Sequence, residues 1–121
     1  MKINALYGHF KKCNNQVSTD TRKIIKGSIF FALKGKNFDG NNYALEALKN
    51  GAAYCVVDNE SVSKLDQRIF LVDNVLETLQ KLSTYNRDKS KCYVIALTGS
   101  NGKTTTKELM YHILKTKYEV V

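Results

Sequence analysis

Apolar residues along this chain switch between two spacings, and the switches mark out its elements. Ile3, Leu6, Tyr7 and Phe10 recur at helical spacing and predict a short amphipathic helix at about residues 2–12. Four runs are instead continuously apolar: Ser28 to Leu33 (SIFFAL), Ala52 to Val57 (AAYCVV), Ile69 to Val72 (IFLV) and Tyr93 to Leu97 (YVIAL). Each predicts a strand covered on both faces. Val17 begins a shorter strand running into Ser18-Thr19-Asp20-Thr21-Arg22, and Lys26-Gly27 marks the next turn.

Helical patterns separate these runs. Tyr43, Ala44, Ala47 and Leu48 make the apolar side of a helix capped by Asn41 or Asn42 and ended by Asn50-Gly51. Asn74 with Glu77 is a capping-box pair for a helix bearing Val75, Leu76, Leu79 and Leu82. Leu109, Met110, Ile113 and Leu114 form the stripe of another helix, and Tyr118 to Val121 starts a further strand. Strands alternating with helices predict an α/β architecture with a largely parallel sheet. The polar stretch Tyr85 to Lys91 reads as a connection between two domains, residues 1–88 and 89–121. One strand, one loop and one helix cannot cover both faces of a sheet, so the second is expected to be the opening of a truncated domain.

Composition narrows the setting. With 43% hydrophobic residues in 121, the chain can bury a core. No apolar run approaches the roughly 20 residues of a membrane-spanning helix, and the N-terminus lacks the apolar block of a secretory signal. Cys13, Cys55 and Cys92 show neither disulfide-framework nor metal-ligand spacing, which predicts buried thiols at Cys55 and Cys92 and a cytoplasmic location. The net charge of +8 is uneven. Residues 1–40 carry eight Lys/Arg against two acids, residues 41–88 five against seven, and residues 89–121 six against two. A polyanionic ligand is therefore expected near the first and last thirds.

The segment Thr98 to Glu108, TGSNGKTTTKE, lies between the YVIAL run and the last helical stripe. Gly99 and Gly102 permit backbone angles closed to other residues, so amides from about Ser100 to Thr105 can converge on an anion. Lys103 supplies a mobile cation for β- and γ-phosphates, and Thr104 or Thr105 offers a hydroxyl to magnesium. The strict G-x-x-x-x-G-K-[ST] phosphate-loop pattern fails at one position, where Leu97 stands in place of the first glycine. Taken without its flanks, the segment would also read as an ordinary glycine turn leading into a lysine-bearing helix.

In its T-G-S-N-G-K-T-T form this segment resembles the phosphate loop of the Mur ligases and their folylpolyglutamate synthetase relatives. Ser18-Thr19-Asp20-Thr21-Arg22, then Gly27 to Gly35 and Phe38-Asp39-Gly40, are similar to the N-terminal UDP-binding domain of that family. The wording FFALKGKNFDG with SNGKTTTKE is most similar to the branch that adds D-alanyl-D-alanine, with the branch that adds the third peptide residue as the alternative. The resemblance implies a UDP-substrate domain followed by the truncated start of an ATPase domain. It implies that Gly99, Ser100, Asn101, Gly102, Lys103, Thr104 and Thr105 hold ATP, with Lys103 catalytic and Thr104 on the magnesium side. It further implies that Thr19, Thr21, Lys36, Asn37 and Phe38 meet the uridine nucleotide. The implied reaction activates UDP-N-acetylmuramoyl-tripeptide with ATP as an acyl phosphate, which the amine of D-alanyl-D-alanine attacks.

One departure concerns Asp39-Gly40-Asn41, where the family often has D-G-H; Asn41 reads as a helix cap. The family's later magnesium-binding carboxylate and histidine, its modified lysine and its C-terminal amino-acid-binding domain have no counterpart in these residues. The 121-residue chain alone is accordingly expected to lack ligase activity and to act as a monomer. A non-catalytic nucleotide-binding module is one rival reading. A nucleic-acid binder is another, prompted by the charge and seven tyrosines, but Tyr54 and Tyr93 fall in strand patterns and no RNA or DNA motif occurs. Neither nucleic acid nor membrane is therefore expected as a partner. His9 and His112 lack a carboxylate or cysteine in helical register and read as structural or solvated.

Overall fold

Val17–Ser18 (β1), Ile29–Phe31 (β2), Tyr54–Val57 (β3) and Ile69–Leu71 (β4) form one sheet in the computed structural model, which describes all 121 residues. The strands lie in the order β1-β2-β3-β4, and every pairing is parallel. Successive side chains of a strand point to opposite faces, and here both faces are covered. Ile29, Phe31 and Val56 pack with Leu6 and Phe10 of α1 (Ile3–Lys12) and with Val75 and Leu82 of α4 (Val75–Lys89). Phe30, Ala32, Cys55 and Val57 pack on the other side with Ala44, Ala47 and Leu48 of α2 (Ala44–Lys49). This two-sided burial is why the strand segments read as unbroken apolar runs, and each fully buried Phe or Val stabilises the fold by about 1.5–3 kcal/mol.

Several elements differ from the sequence expectation for local reasons. The first strand ends at Ser18, because the Asp20 carboxylate accepts the Arg22 amide at 2.9 Å and turns Thr21–Lys23 into a single 3-10 turn. Asn41 and Asn42 do not cap the second helix. The N-cap of α2 is Tyr43, 44% exposed and without a side-chain cap bond, while Asp39 caps the preceding 3-10 turn at Gly40–Tyr43 by accepting the Asn41 amide. The short α3 (Glu60–Ser63) is an element that the apolar spacing does not predict. Its cap is Asn59, whose side-chain oxygen accepts the Ser61 and Val62 amides. The Asn74 cap is present, accepting the Glu77 amide at 2.9 Å, and α4 continues through Lys89, so most of the polar stretch expected to connect two domains is helical. Leu76 lies outside its apolar face, 52% exposed.

Residues Met1–Ser90 form one compact unit and Lys91–Val121 another. Within the second, Tyr93–Leu97 makes no strand, and Tyr93 is 97% exposed rather than set in a strand core. A strand draws its stability from a neighbour's hydrogen-bond ladder, and no segment is paired with this run. The expected strand at Tyr118–Val121 is likewise unformed; the Tyr118 amide donates to the Leu114 carbonyl at 2.8 Å instead. The helix of this unit, α5 (Lys103–Leu114), does form, with Leu109 and Ile113 exposed.

Candidate functional site

In a parallel sheet the loops leaving the carboxyl ends of the strands are where ligands are met. Two such loops follow the adjacent strands β1 and β2 and carry the sequence candidates. After β1, the Ser18 hydroxyl bonds the Ser28 hydroxyl at 2.8 Å and accepts the Ile25 amide at 3.1 Å, which pins the loop between them. Thr19 is exposed and Thr21 half-buried, and the Thr21 carbonyl accepts from the Asn50 side-chain amide at 3.1 Å. Asp20 grips Arg22 through Nε at 3.0 Å and Nη2 at 2.8 Å. That side-chain bond, with the Arg22 amide behind it, holds the Asp20 carboxyl down at about 2.

After β2, the chain runs into a narrow loop closed by an antiparallel bridge between Lys34 and Asp39. The Gly35 amide donates to the Phe38 carbonyl at 3.0 Å, and the Gly40 amide to the Leu33 carbonyl at 2.9 Å. Lys36, Asn37 and Phe38 all stand exposed at its tip, and the Phe38 ring lies over Gly35 where a side chain would otherwise be. The topology thus brings the hydroxyl loop and the lysine loop out at neighbouring strand ends. This arrangement suits a ligand with hydrogen-bonding edges and a diphosphate.

Beneath the second loop sits a polar cluster that spacing alone did not reveal. Asn41 is 1% exposed, and its Nδ2 donates to the carboxylates of Asp39 at 2.6 Å and Asp58 at 2.9 Å. Its oxygen accepts the Asp58 amide at 3.1 Å. Lys34 Nζ completes the cluster at 2.8 Å from the same Asp58 oxygen. Burial pushes the Asp58 carboxyl up, but the Lys34 and Asn41 side chains and the Val75 amide outweigh it and leave the group below the ordinary carboxylate value. Asn41 is therefore a buried cross-link, not a helix cap. Its only sequence signal was an amide where a short loop rejoins a helix, and Asp58 gave none.

The glycine corner is built locally. Gly99 has φ of +142° and Gly102 of +74°, both in the region that favours glycine, and Gly102 is the N-cap of α5. A Cβ at either position would meet nothing within 4 Å, so the main chain is open to an approaching group. No acidic residue occupies the first turn of α5. Its leading amides carry the positive end of the helix dipole, worth about 0.3–1 kcal/mol toward an anion. Lys103, Thr104 and Lys107 line a recess of about 250 Å³ with Ile95 and Leu97. The second lysine of that recess, Lys107, was not a sequence candidate. Ser100, Asn101 and Thr105 are exposed along the same corner.

Other groups fall outside these sites. His9 packs against the rings of Tyr54 at 4.6 Å and Phe70 at 4.8 Å, so it is a packing residue of the sheet surface. His112 is exposed beside Tyr111. Cys13 and Cys55 are buried, and the Cys55 thiol donates to the Ala44 carbonyl; Cys92 is exposed, contrary to its expected place in a strand core. No helix is long and apolar enough to cross a membrane.

The chain is similar to known proteins. Residues 15–87 match the family model described as the Mur ligase family catalytic domain, and residues 97–121 match the Mur ligase middle domain. The UDP-N-acetylmuramoyl-tripeptide--D-alanyl-D-alanine ligase of Rickettsia prowazekii is 40% identical over 101 residues, which cover 84% of this chain and 22% of that protein. The crystal structure of the MurF ligase of Thermotoga maritima in complex with ADP superposes with a TM-score of 0.70 at 39% identity, covering 88% of this chain and 24% of that one. The UDP-N-acetylmuramoyl-L-alanyl-D-glutamate--2,6-diaminopimelate ligase of Prochlorococcus marinus is 32% identical over 108 residues, which cover 84% of this chain and 21% of that protein. The chain thus spans somewhat less than a quarter of the length of these relatives. The parallel sheet, its two loops and the glycine corner fall within the two matched segments, and the chain belongs to the Mur ligase family.

Proposed function

We propose that this chain carries the UDP-precursor site and the ATP-phosphate corner of a ligase that joins D-alanyl-D-alanine to UDP-N-acetylmuramoyl-tripeptide in cytoplasmic peptidoglycan synthesis. Residues 1–88 form its substrate domain, and residues 89–121 open its ATP-binding domain. The observation that carries the reading is the corner at Gly99 to Thr105, whose open main chain and leading helix amides stand beside Lys103. The choice of amine substrate is supported by 40% identity to a D-alanyl-D-alanine-adding relative against 32% to a diaminopimelate-adding one.

The residues present fit a nucleoside triphosphate. Amides from Ser100 to Thr105 meet the phosphate oxygens, and Lys103 offsets the charge that gathers on the transferring phosphoryl group. A bound magnesium ion would neutralise the phosphates further, with Thr104 as its hydroxyl ligand; no three acidic, histidine or cysteine side chains cluster here to bind an ion by themselves. Thr19 and Thr21 offer hydroxyls to the uracil edge, while Lys36, Asn37 and Phe38 meet the uracil or diphosphate end. In the full reaction the γ-phosphoryl group of ATP passes to the tripeptide carboxylate. The dipeptide amine then attacks the acyl phosphate, and phosphate leaves from the tetrahedral adduct.

Calorimetric titration of the 121-residue chain tests this reading. Saturable binding of UDP-N-acetylmuramoyl-tripeptide, displaced by UDP, is expected, with separate stabilisation by ATP and magnesium. At a hundredfold excess over Kd each ligand adds about 2.7 kcal/mol of stability. Stabilisation by an oligonucleotide and by neither nucleotide ligand would overturn the reading.

A further inference from the structure

Lys34, Asp39, Asn41 and Asp58 join the loop after β2 to the end of β3. We infer that this cluster is a positioning device for nucleotide recognition, holding residues 35–38 in the shape that meets the UDP moiety through side chains that do not themselves touch it. The inference rests on the proposed substrate site and deepens it. At the tip, Lys36, Asn37 and Phe38 are exposed, and the loop closes on itself only through the Gly35 amide to Phe38 and the Gly40 amide to Leu33. Two main-chain bonds leave such a tip free to take many shapes, and every ordered residue costs affinity if binding must impose the order.

The cluster removes that freedom from below. Asp58 Oδ1 receives both Lys34 Nζ at 2.8 Å and Asn41 Nδ2 at 2.9 Å, so one carboxylate oxygen ties the first residue of the loop to the chain just beyond it. Asn41 spends its donors on Asp39 and Asp58 and its acceptor on the Asp58 amide, which leaves little for a ligand. Because Asp58 directly follows β3, the loop is referenced to the sheet, as the β1 loop is through Ser18 and Ser28. The Lys34 side chain is 50% exposed, and ion pairs at such positions add little to fold stability. A requirement for Lys34 would therefore lie in the loop's shape and not in the fold.

The whole chain carrying Lys34→Met, with Lys34→Arg as the conservative variant, tests the inference by calorimetry with UDP, thermal unfolding and amide hydrogen exchange at Gly35. Lys34→Met is expected to weaken UDP binding about tenfold. Its Tm stays within about 2 °C of the parent. The Gly35 amide exchanges faster, and arginine restores both affinity and protection. Equal UDP affinity in Lys34→Met and the parent chain overturns the inference while leaving the substrate site standing. A loss of affinity that merely follows a fall in Tm, unrescued by arginine, also overturns it. Should the parent chain itself fail to bind UDP, the functional reading falls instead. The clamp is then judged by Gly35 alone, where unchanged exchange in Lys34→Met overturns it.

Discussion

Three glycines of the Met1–Ser90 unit give a graded test of its packing. Gly40 is buried where the loop after β2 re-enters the fold, and a Cβ there would sit 2.5 Å from the Leu33 carbonyl oxygen, 2.6 Å from the Ala32 carbonyl carbon and 2.8 Å from Ala32 Cα. All three atoms are main chain. Ala32 cannot retreat freely, because it is 0% exposed and its amide donates to the Val56 carbonyl at 3.0 Å. Gly40→Ala therefore overpacks a rigid site, at about 1–3 kcal/mol. Moving the strand end apart adds about 1–3 kcal/mol for a buried hydrogen bond left unmade. The expected loss is about 2–6 kcal/mol, a large share of the roughly 5–15 kcal/mol that holds a domain together. Gly35→Ala meets only the exposed Phe38 ring, which can swing aside, and is expected to cost under about 1 kcal/mol. Gly8, inside α1 with nothing within 4 Å of its missing Cβ, should become more stable as alanine by about 0.5–1 kcal/mol. Urea unfolding followed by circular dichroism reads all three, with Cm moving and m constant. A Gly40→Ala chain within about 0.5 kcal/mol of the parent would refute the reasoning, since that is the scatter of ordinary surface substitutions.

Three shorter expectations follow from other sites. Lys103→Met should weaken ATP binding about 10- to 100-fold, the worth of a charge-assisted bond to phosphate, with Tm unchanged in the absence of nucleotide because Lys103 forms no ion pair; unchanged ATP affinity in a titration would count against the corner. Asp58 has its folded pKa depressed below 3.8, so its contribution is fully present above the ordinary carboxylate value and is lost as pH falls from there through the lower folded value. Unfolding curves from pH 6 down to about pH 2 should show the gap between parent and Asp58→Asn narrowing once pH falls below the ordinary carboxylate value, and a gap constant over the whole range would refute the assignment. Burial pushes the Cys55 thiol up to about 12, so alkylation of the native chain at pH 8 should label exposed Cys92 and spare Cys55, as peptide mass mapping would reveal.

What could be read ahead of the structure tracks how local the determinants are. Ser28 to Leu33 and Ala52 to Val57 announced strands because both faces are buried, and that burial leaves a one-dimensional signature. The loops holding Thr19, Thr21 and Lys36 to Phe38 were located by wording, whereas their emergence at adjacent strand ends depends on the strand order. The Lys34–Asp58–Asn41 cluster was illegible for the same reason. Residues 34 and 58 meet only after β2 and β3 pair, and no spacing rule links them. The Asn74 cap was legible because its acceptor lies three residues away in sequence, whereas the start of α2 was not: a 3-10 turn capped by Asp39 precedes it, and Asn41 is drawn into bonds with Asp39 and Asp58.

The run Tyr93 to Leu97 carries the same apolar pattern as Ala52 to Val57, yet one lies exposed without a ladder and the other sits at the centre of a sheet. Pattern therefore states what a segment can bury, while pairing depends on which neighbours are present. The glycine corner does not share that dependence. Its positive φ values at Gly99 and Gly102 and the first turn of α5 are in place although the preceding run is unpaired, because they arise from glycine's missing Cβ and from bonds within a single helix. The two proposed ligand sites consequently rest on different physics: the phosphate corner is a local backbone shape, whereas the uridine loops need the assembled sheet. A substitution that loosens the core, such as Leu6→Ala, should then lower the denaturant concentration at which UDP binding is lost and leave the geometry of the corner unaltered.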